Sequence, residues 1–212
     1  MVSMGSERLG YEIKYGPVVL GSMVVEQLPS DSIAEGEYEH FRADIEIDRA
    51  LAFVFWARYR LESWCRKTDK VTVRSYKSTQ EKNFQDEWQA DYYPEDGFIF
   101  YSDGLQMRLS DSARDMLSLW YYLRTLKYRI GDRVVVNAHI DKRNWRVCFV
   151  VTGTQRVKTP AGDFDCFVIV PRSTSPLGAV FFSQDERKLP VVIRTRIGRL
   201  TVSAYLKQIG RK

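Results

Sequence analysis

The chain is poor in the residues that build metal centres, disulfide scaffolds and redox motifs. It has three cysteines (Cys65, Cys148 and Cys166) and two histidines in 212 residues. An odd cysteine count without a CxxC pair excludes a zinc ribbon and a disulfide scaffold. Cys148 and Cys166 lie in apolar runs, and we predict that they are buried thiols with no bridge between them.

Catalytic motifs are missing as well. The chain contains no HExxH, GxSxG or GxxxxGK pattern, which excludes the common zinc peptidases, α/β-hydrolases and P-loop enzymes. His40 and His139 each fall in an alternating segment typical of a strand, so we expect structural roles for both. The sequence therefore predicts no catalytic residue, no cofactor and no metal site.

Long apolar runs are also absent. The longest, residues 50–57, has eight residues, whereas a membrane-spanning helix needs about 18 or more. We therefore predict no transmembrane segment. Residues 1–6 are interpreted as a disordered N-terminus or a remnant of the expression vector, so the lack of a visible signal peptide says little about the compartment.

Acidic residues are missing from the last part of the chain. From Arg187 onward there are eight basic residues and no acidic one, in a chain of net charge +5. Such a segment either forms a solvated face that protects a sheet edge or attracts anionic head groups. The candidate anion contacts are Arg194 and Arg196, which share a strand face, and Arg199. Nucleic acid is not predicted as a partner, because no recognition motif accompanies the charge.

What the chain does contain is the pattern of strands joined by short turns. Leu9, Tyr11 and Ile13 alternate with other residues, as in a half-buried strand. Later, two β-branched and aromatic runs flank Pro160 and Gly162, which suit a tight turn. The pattern predicts a mainly β fold, in which one curved antiparallel sheet closes into a barrel or half-barrel. We expect a single domain over residues 7–208 and a basic tail at 209–212.

One short helix is predicted, over about residues 111–126. Asp111 or Ser112 can cap it, and apolar residues follow at helical spacing. A helix on the concave face of a curved sheet makes either a solid core or a slot for an apolar ligand. The candidate pocket-lining residues are Phe53, Phe55, Trp56, Trp64, Met116, Trp120 and Leu123. A slot for a small ligand needs a volume of ~300 Å³ or more.

Several segments resemble, in the same order, the DUF3108 family of bacterial envelope proteins. The matching segments are residues 7–17 (ERLGYEIKYGP), 58–64 (RYRLESW), 115–125 (DMLSLWYYLRT), 153–157 (GTQRV), 159–166 (TPAGDFDC) and 185–191 (DERKLPV). The resemblance implies a periplasmic or secreted protein with a curved, barrel-like sheet. It carries over no catalytic residue.

Three functions remain open at this point. The first hypothesis is a non-enzymatic cell-envelope protein that binds or shields an apolar ligand, such as a lipid, in a concave sheet. The second is an interaction or structural module that docks on other envelope proteins through a sheet edge or exposed aromatic side chains. The third is an enzyme that acts on an envelope polymer through surface acids such as Asp111 and Asp115.

Overall fold

The computed structural model describes residues 7–29, 38–47, 56–173, 175–197 and 200–211. These residues form fourteen strands and one helix. The elements are β1 (Glu7–Tyr15), β2 (Val18–Leu28), β3 (Tyr38–Ile47), β4 (Ala57–Arg66), β5 (Thr72–Glu81), β6 (Phe84–Tyr93), β7 (Phe98–Tyr101), β8 (Gln106–Arg108), α1 (Met116–Thr125), β9 (Arg133–Ile140), β10 (Arg143–Thr159), β11 (Gly162–Pro171), β12 (Ala179–Ser183), β13 (Pro190–Ile197) and β14 (Leu200–Arg211).

All the strands belong to one antiparallel sheet, which confirms the predicted fold class. The strand order is β8-β7-β6-β5-β4-β3-β2-β1-β14-β13-β12-β11-β10-β9. The chain therefore starts in the middle of the sheet, runs outward to β8, and resumes at β9 on the far edge. It then returns strand by strand until β14 pairs with β1. Among the described residues β8 and β9 do not pair, so the sheet is barrel-like but not closed.

A short crossing segment, residues 109–115, lies between the two sheet edges. Its Arg114 forms an isolated parallel bridge with Ala138 of β9, in which the His139 amide donates to the Arg114 carbonyl at 2.8 Å. Two side chains add further hydrogen bonds between the edges. Asn144 Nδ2 donates to the Arg108 carbonyl at 2.7 Å, and Asn137 Nδ2 donates to the Asp111 carbonyl at 2.8 Å. These bonds hold the edges together where strand pairing does not.

The turn predicted at Pro160 and Gly162 is present. Thr159 pairs with Gly162 at the tip of the β10–β11 hairpin, and Gln155 pairs with Cys166. This register keeps Cys148 far from Cys166, and all three cysteines are free. Cys166 is buried as predicted, whereas Cys148 is only half-buried. Burial raises the pKa of the Cys65 and Cys166 thiols, which makes both poor nucleophiles.

Two predicted boundaries differ from the structure. The helix begins at Met116 and ends at Thr125, so it is shorter than the predicted 111–126. Strand β14 continues to Arg211, pairing Ile209 with Leu9 and Gly210 with Arg8. Residues 209–211 are therefore strand and not a separate tail. Residues 1–6 and 48–55 lie outside the described part of the chain.

Helix α1 lies on the concave face and packs on both halves of the sheet. Leu117 belongs to an apolar cluster with β1, β2, β3, β13 and β14. Leu119, Trp120 and Leu123 belong to a second cluster with β9 to β12. The helix is apolar on both of these sides because each side meets a different part of the curved sheet.

Candidate functional site

An apolar cavity separates α1 from one half of the sheet. Its volume is about 200 Å³. The side chains around it come from four adjacent strands on one side, from the two C-terminal strands on another, and from the helix above. The principal ones are Leu9, Tyr11, Met23, Val25, Ala43, Ile45, Leu61, Met116, Leu117, Trp120, Tyr121, Arg124, Ile193, Val202 and Ala204.

Strand alternation explains why these residues share one wall. Ala43 pairs with Val25 on one side and with Leu61 on the other, so the three side chains stand on the same face of β2, β3 and β4. In β1, Leu9 and Tyr11 are two residues apart and are both almost fully buried. The apolar side chains of consecutive strands thus form a continuous inner surface beneath the helix.

The N-terminal end of the helix is fixed by Asp115. Its Oδ1 accepts a hydrogen bond from the Ser118 amide at 2.8 Å, which caps the helix. Its own amide donates to Thr72 Oγ1 of β5 at 2.8 Å. The cap is therefore Asp115, and the prediction of Asp111 or Ser112 was wrong. Burial raises the pKa of Asp115 to about 6.

The other end of the helix is tied to the first strand. Arg124 donates from Nη1 and Nη2 to the two carboxylate oxygens of Glu7, at 2.6 and 2.8 Å. Nη2 also donates to the Arg187 carbonyl at 3.0 Å. A bidentate ion pair of this kind fixes the positions of the guanidinium and the carboxylate relative to each other. The helix is thus anchored at both ends over the cavity.

Two of the tyrosines that line the cavity, Tyr11 and Tyr121, differ in the hydrogen bonding of their hydroxyl groups. The Tyr11 hydroxyl donates to the Pro190 carbonyl at 2.9 Å. Tyr121 stacks on Phe41, with ring centroids 3.6 Å apart. Its hydroxyl oxygen is buried and has no hydrogen-bond partner among the described residues. Burial raises the pKa of Tyr121, so this hydroxyl keeps its proton at neutral pH.

The cavity is smaller than the ~300 Å³ expected of a small-molecule pocket. An apolar cavity of ~150 Å³ is nevertheless large enough to stay dry and to take up a small apolar molecule such as benzene. The observed volume of about 200 Å³ therefore suits a small apolar group or one short alkyl chain. It does not suit a bulky cofactor.

The predicted pocket residues are distributed unevenly. Met116 and Trp120 line the cavity. Leu123 does not, because it packs against β9 to β12 on the other side of the helix. Trp56 is half-buried and is not part of the cavity wall, while Phe53 and Phe55 lie outside the described residues.

Trp64 is not in the cavity either. It is three residues from Leu61 in β4 and therefore stands on the opposite face of the sheet. There it stacks on His40, with ring centroids 4.1 Å apart. His40 also contacts Glu62, with 2.7 Å between Nε2 and Oε2. The strand register decides which face Trp64 occupies, and the composition of the segment did not reveal it.

The predicted arginine row is described only in part. Arg194 is exposed, with its Nε 3.3 Å from Ser203 Oγ and its guanidinium 5.3 Å from the centre of the Phe181 ring. Arg199 and the side chain of Arg196 lie outside the described part of the structure. An anion contact at these residues stays a prediction.

A second depression, of about 420 Å³, lies on the outer face of β2 to β5. It is lined by charged side chains that pair with each other. Arg60 Nε donates to Asp44 Oδ1 at 2.7 Å, and Arg58 Nη2 lies 2.7 Å from Glu46 Oε1. These pairs balance the local charge, so the apolar cavity is the stronger candidate for a ligand.

The described residues offer little that suggests catalysis. No group of three or more His, Cys, Asp or Glu side chains among them could hold a metal ion. Asp115, proposed from the sequence as a surface acid, is buried at the helix cap, while Asp111 is exposed. The two carboxylates therefore do not share an open surface, and Asp115 is not the surface acid that the third hypothesis named.

The fold defines a class of barrel-like, single-sheet proteins. The chain is similar over its full length to a β-barrel-like protein of a domain of unknown function, DUF1849, from Brucella abortus. The two share 14% identity, 100% of each chain is covered, and the TM-score is 0.68. Similarity at this identity shows the fold alone. A DUF1089 family protein from Pseudomonas aeruginosa is similar at 11% identity over 80% of this chain and 87% of its own, with a TM-score of 0.45.

Residues 11–205 match the sequence profile of DUF3108, described as a protein of unknown function. The chain belongs to the DUF3108 family, as the six segments that resemble the family in the same order predicted. No curated protein matches it in sequence. Within the described residues, no helix has both the length and the apolar character needed to cross a bilayer.

Proposed function

We propose that this protein is a non-enzymatic cell-envelope protein that binds an apolar chain, such as an acyl chain of a lipid, between α1 and the sheet. The observation that carries the proposal is the cavity of about 200 Å³ with its almost entirely apolar wall. Well-packed interiors leave few voids larger than a water molecule. A larger apolar void beneath an anchored helix is therefore more simply explained as a site than as a packing fault.

The anchoring of the helix supports the same proposal. The cap at Asp115 and the pair between Arg124 and Glu7 fix both ends of α1 over β1 to β4, with the cavity between them. A helix held at both ends does not collapse into the space beneath it. A pre-formed site of this kind avoids part of the ordering cost of binding.

The test is native mass spectrometry on protein purified from cells without detergent. We expect a bound apolar molecule on the wild type and its loss in Ala43→Leu, because the added methyl groups project into the cavity from an almost fully buried position. Ala138→Val, in the cluster on the other side of the helix, serves as the control for altered packing. A wild-type mass equal to that of the bare chain would contradict the proposal.

The compartment is part of the proposal. By its resemblance to bacterial envelope proteins, we propose that the protein acts in the periplasm or outside the cell. Fractionation of cells that express the complete gene tests this. Recovery in the cytoplasmic fraction alone would contradict it.

Docking on another envelope protein is the second candidate function. It is favoured by an exposed aromatic pair near the sheet edge, Tyr93 and Phe100, which are 47% and 45% exposed and meet edge to face at 5.5 Å. Exposed aromatic side chains are typical of binding surfaces. Crosslinking in intact cells, compared with a Tyr93→Ser, Phe100→Ser double variant, tests this candidate.

A further inference from the structure

Strand β9 ends the sheet on one side, and its free edge is covered only in part by the segment 109–115. The Arg114 amide donates to the Asn137 carbonyl at 3.1 Å, and the His139 amide donates to the Arg114 carbonyl at 2.8 Å. Asn137 and His139 therefore direct their backbone groups away from β10. In the described part of the chain, this contact is confined to the stretch from Asn137 to His139.

The first half of the same edge is accessible. Backbone groups in a strand alternate between its two sides, so Arg133 and Val135 direct theirs to the same side as Asn137. The Val135 side chain is 54% exposed, and Ile130, just before the strand, is 65% exposed. An exposed edge that carries a β-branched apolar residue is a template for pairing with another strand.

Exposed arginines surround this half of the edge. Arg133 belongs to β9 itself, and Arg146 of β10 pairs with Asn137. Arg172 follows the end of β11, where its amide donates to the Cys148 carbonyl of β10 at 2.8 Å. The side chains of all three arginines are exposed. They give the start of β9 and its neighbouring strands a positive potential.

These arginines differ from those on the outer face of β2 to β5. There Arg60 is paired with Asp44, and Arg58 with Glu46. Among the described residues Arg133, Arg146 and Arg172 form no ion pair. The nearby Asp132 is half-buried, and its Oδ2 accepts a bond from the Arg129 amide at 2.7 Å.

We propose that the free edge of β9 binds an extended, acidic segment of a partner protein, which adds a strand beside residues 133–136 and places carboxylates against Arg133 and Arg146. Strand addition supplies the affinity through backbone bonds, and the side chains supply the selectivity. A second copy pairing through the same edge would bring like charges together. A lipid surface would meet the arginines but offers no strand to pair with the edge.

This surface lies outside the cavity, whose walls include no residue of β9 to β11. It is also separate from the exposed pair Tyr93 and Phe100. The inference therefore does not rest on the proposed function.

The test measures binding of two fluorescent peptides by anisotropy, acetyl-Thr-Glu-Val-Glu-Val-Glu-Thr-amide and the same peptide with lysine in place of glutamate. We expect the wild type to prefer the acidic peptide by about tenfold or more, and Arg133→Glu, Arg146→Glu to weaken its binding by about tenfold. Arg156→Glu, Lys158→Glu changes the net charge equally on the exposed part of the β10–β11 hairpin. This control should bind as the wild type does.

A second pair of variants tests strand addition itself. Val135→Pro removes an amide that faces the free side of β9, where proline is tolerated, and leaves the bonds to β10 in place. We expect it to weaken binding of the acidic peptide by about three- to tenfold, which corresponds to one hydrogen bond. Val135→Thr keeps the amide and the β-branched shape, and it should bind within about twofold of the wild type. Thermal unfolding checks that each variant is folded.

Several results would overturn the proposal. Failure of the acidic peptide to bind, or equal binding of the two peptides, would remove its basis. Equal binding by Val135→Pro and Val135→Thr would exclude strand addition. If phosphatidylglycerol vesicles bind through the two arginines and the peptide does not, the patch is a lipid contact. A dimer that Val135→Pro dissociates, without peptide binding, would identify a second copy as the occupant.

Discussion

Tyr101 and His139 are hydrogen-bonded across the gap between the two edges of the sheet, with 2.5 Å between the tyrosine hydroxyl and His139 Nε2. Tyr101 ends β7, beside the edge strand β8, whereas His139 lies in the opposite edge strand, β9. The other ring nitrogen, Nδ1, lies 2.8 Å from Asn144 Oδ1. Because an amide oxygen only accepts, Nδ1 donates to Asn144. Burial lowers the pKa of His139, which keeps the imidazole neutral, so Nε2 accepts the tyrosine proton.

Loss of the Tyr101–His139 hydrogen bond should weaken the contact between the two edges of the sheet. His139→Leu leaves the Tyr101 hydroxyl without its partner and removes the Nδ1 donor from Asn144 Oδ1, and we expect a loss of about 1–3 kcal/mol in the free energy of unfolding. A double-mutant cycle with Tyr101→Phe, followed by urea denaturation, isolates the pair. The expected coupling is about 0.5–3 kcal/mol. A coupling energy near zero would mean that the bond contributes nothing to closing the sheet.

The same histidine should make stability depend on pH. Burial lowers the pKa of His139, so just below its ordinary value of about 6.5 the unfolded chain binds more protons than the folded one. The stabilisation is therefore complete above about pH 6.5 and is lost as the pH falls. Between about pH 7.5 and about pH 5.5, the wild type should lose more stability than His139→Gln.

Titration of Asp115 changes the stability in the opposite direction from titration of His139. Because burial raises its pKa to about 6, its contribution is greatest below the ordinary aspartate range and is lost as the pH rises through 6. This contribution is common to the wild type and His139→Gln, so it cancels in their difference. Parallel stability curves for the two proteins would contradict the role given to His139.

The cavity wall includes a glycine that cannot carry a side chain. A Cβ added to Gly178 would lie 1.7 Å from the Arg194 carbonyl oxygen, which is far inside any allowed contact. We expect Gly178→Ala to lower the free energy of unfolding by about 1–3 kcal/mol through this clash. At Gly153 an added Cβ meets no atom within 4 Å. Thermal unfolding of Gly153→Ala should show a much smaller loss, and equal losses would refute the explanation.

The two cavity tyrosines should respond differently to loss of the hydroxyl. Tyr11→Phe removes a bond to the Pro190 carbonyl and should cost about 1 kcal/mol. Tyr121→Phe removes a buried hydroxyl that has no hydrogen-bond partner among the described residues, and it should leave the unliganded protein equally stable or more stable. Chemical denaturation of both variants checks this. A large loss in Tyr121→Phe alone would show that its hydroxyl is satisfied within the folded chain.

Much of the sheet could be predicted from local sequence. The alternation of Leu9, Tyr11 and Ile13 gave a strand with one buried face, and the turn at Pro160 and Gly162 gave the register of its hairpin. Both depend on residues that are close in sequence. The helix cap could not be chosen correctly, because Asp111, Ser112 and Asp115 are all capping residue types. Contact with Thr72, 43 residues before Asp115, distinguishes them in the structure.

The candidate site could be predicted only in outline. Met116 and Trp120 were found from helical spacing, whereas Trp64 was assigned to the wrong face because the register of β4 was unknown. The ion pair between Glu7 and Arg124 was missed altogether. Glu7 and Arg124 are 117 residues apart, and only the crossing from β8 to β9 brings the helix onto the first strand.

The most direct test of the cavity as a ligand site is a crystal structure of protein purified from cells without detergent. We expect elongated density between α1 and β1 to β4, in contact with Met116 and Trp120. A cavity that is empty, or that is filled by inward movement of Met116 and Tyr121, would contradict the proposed function.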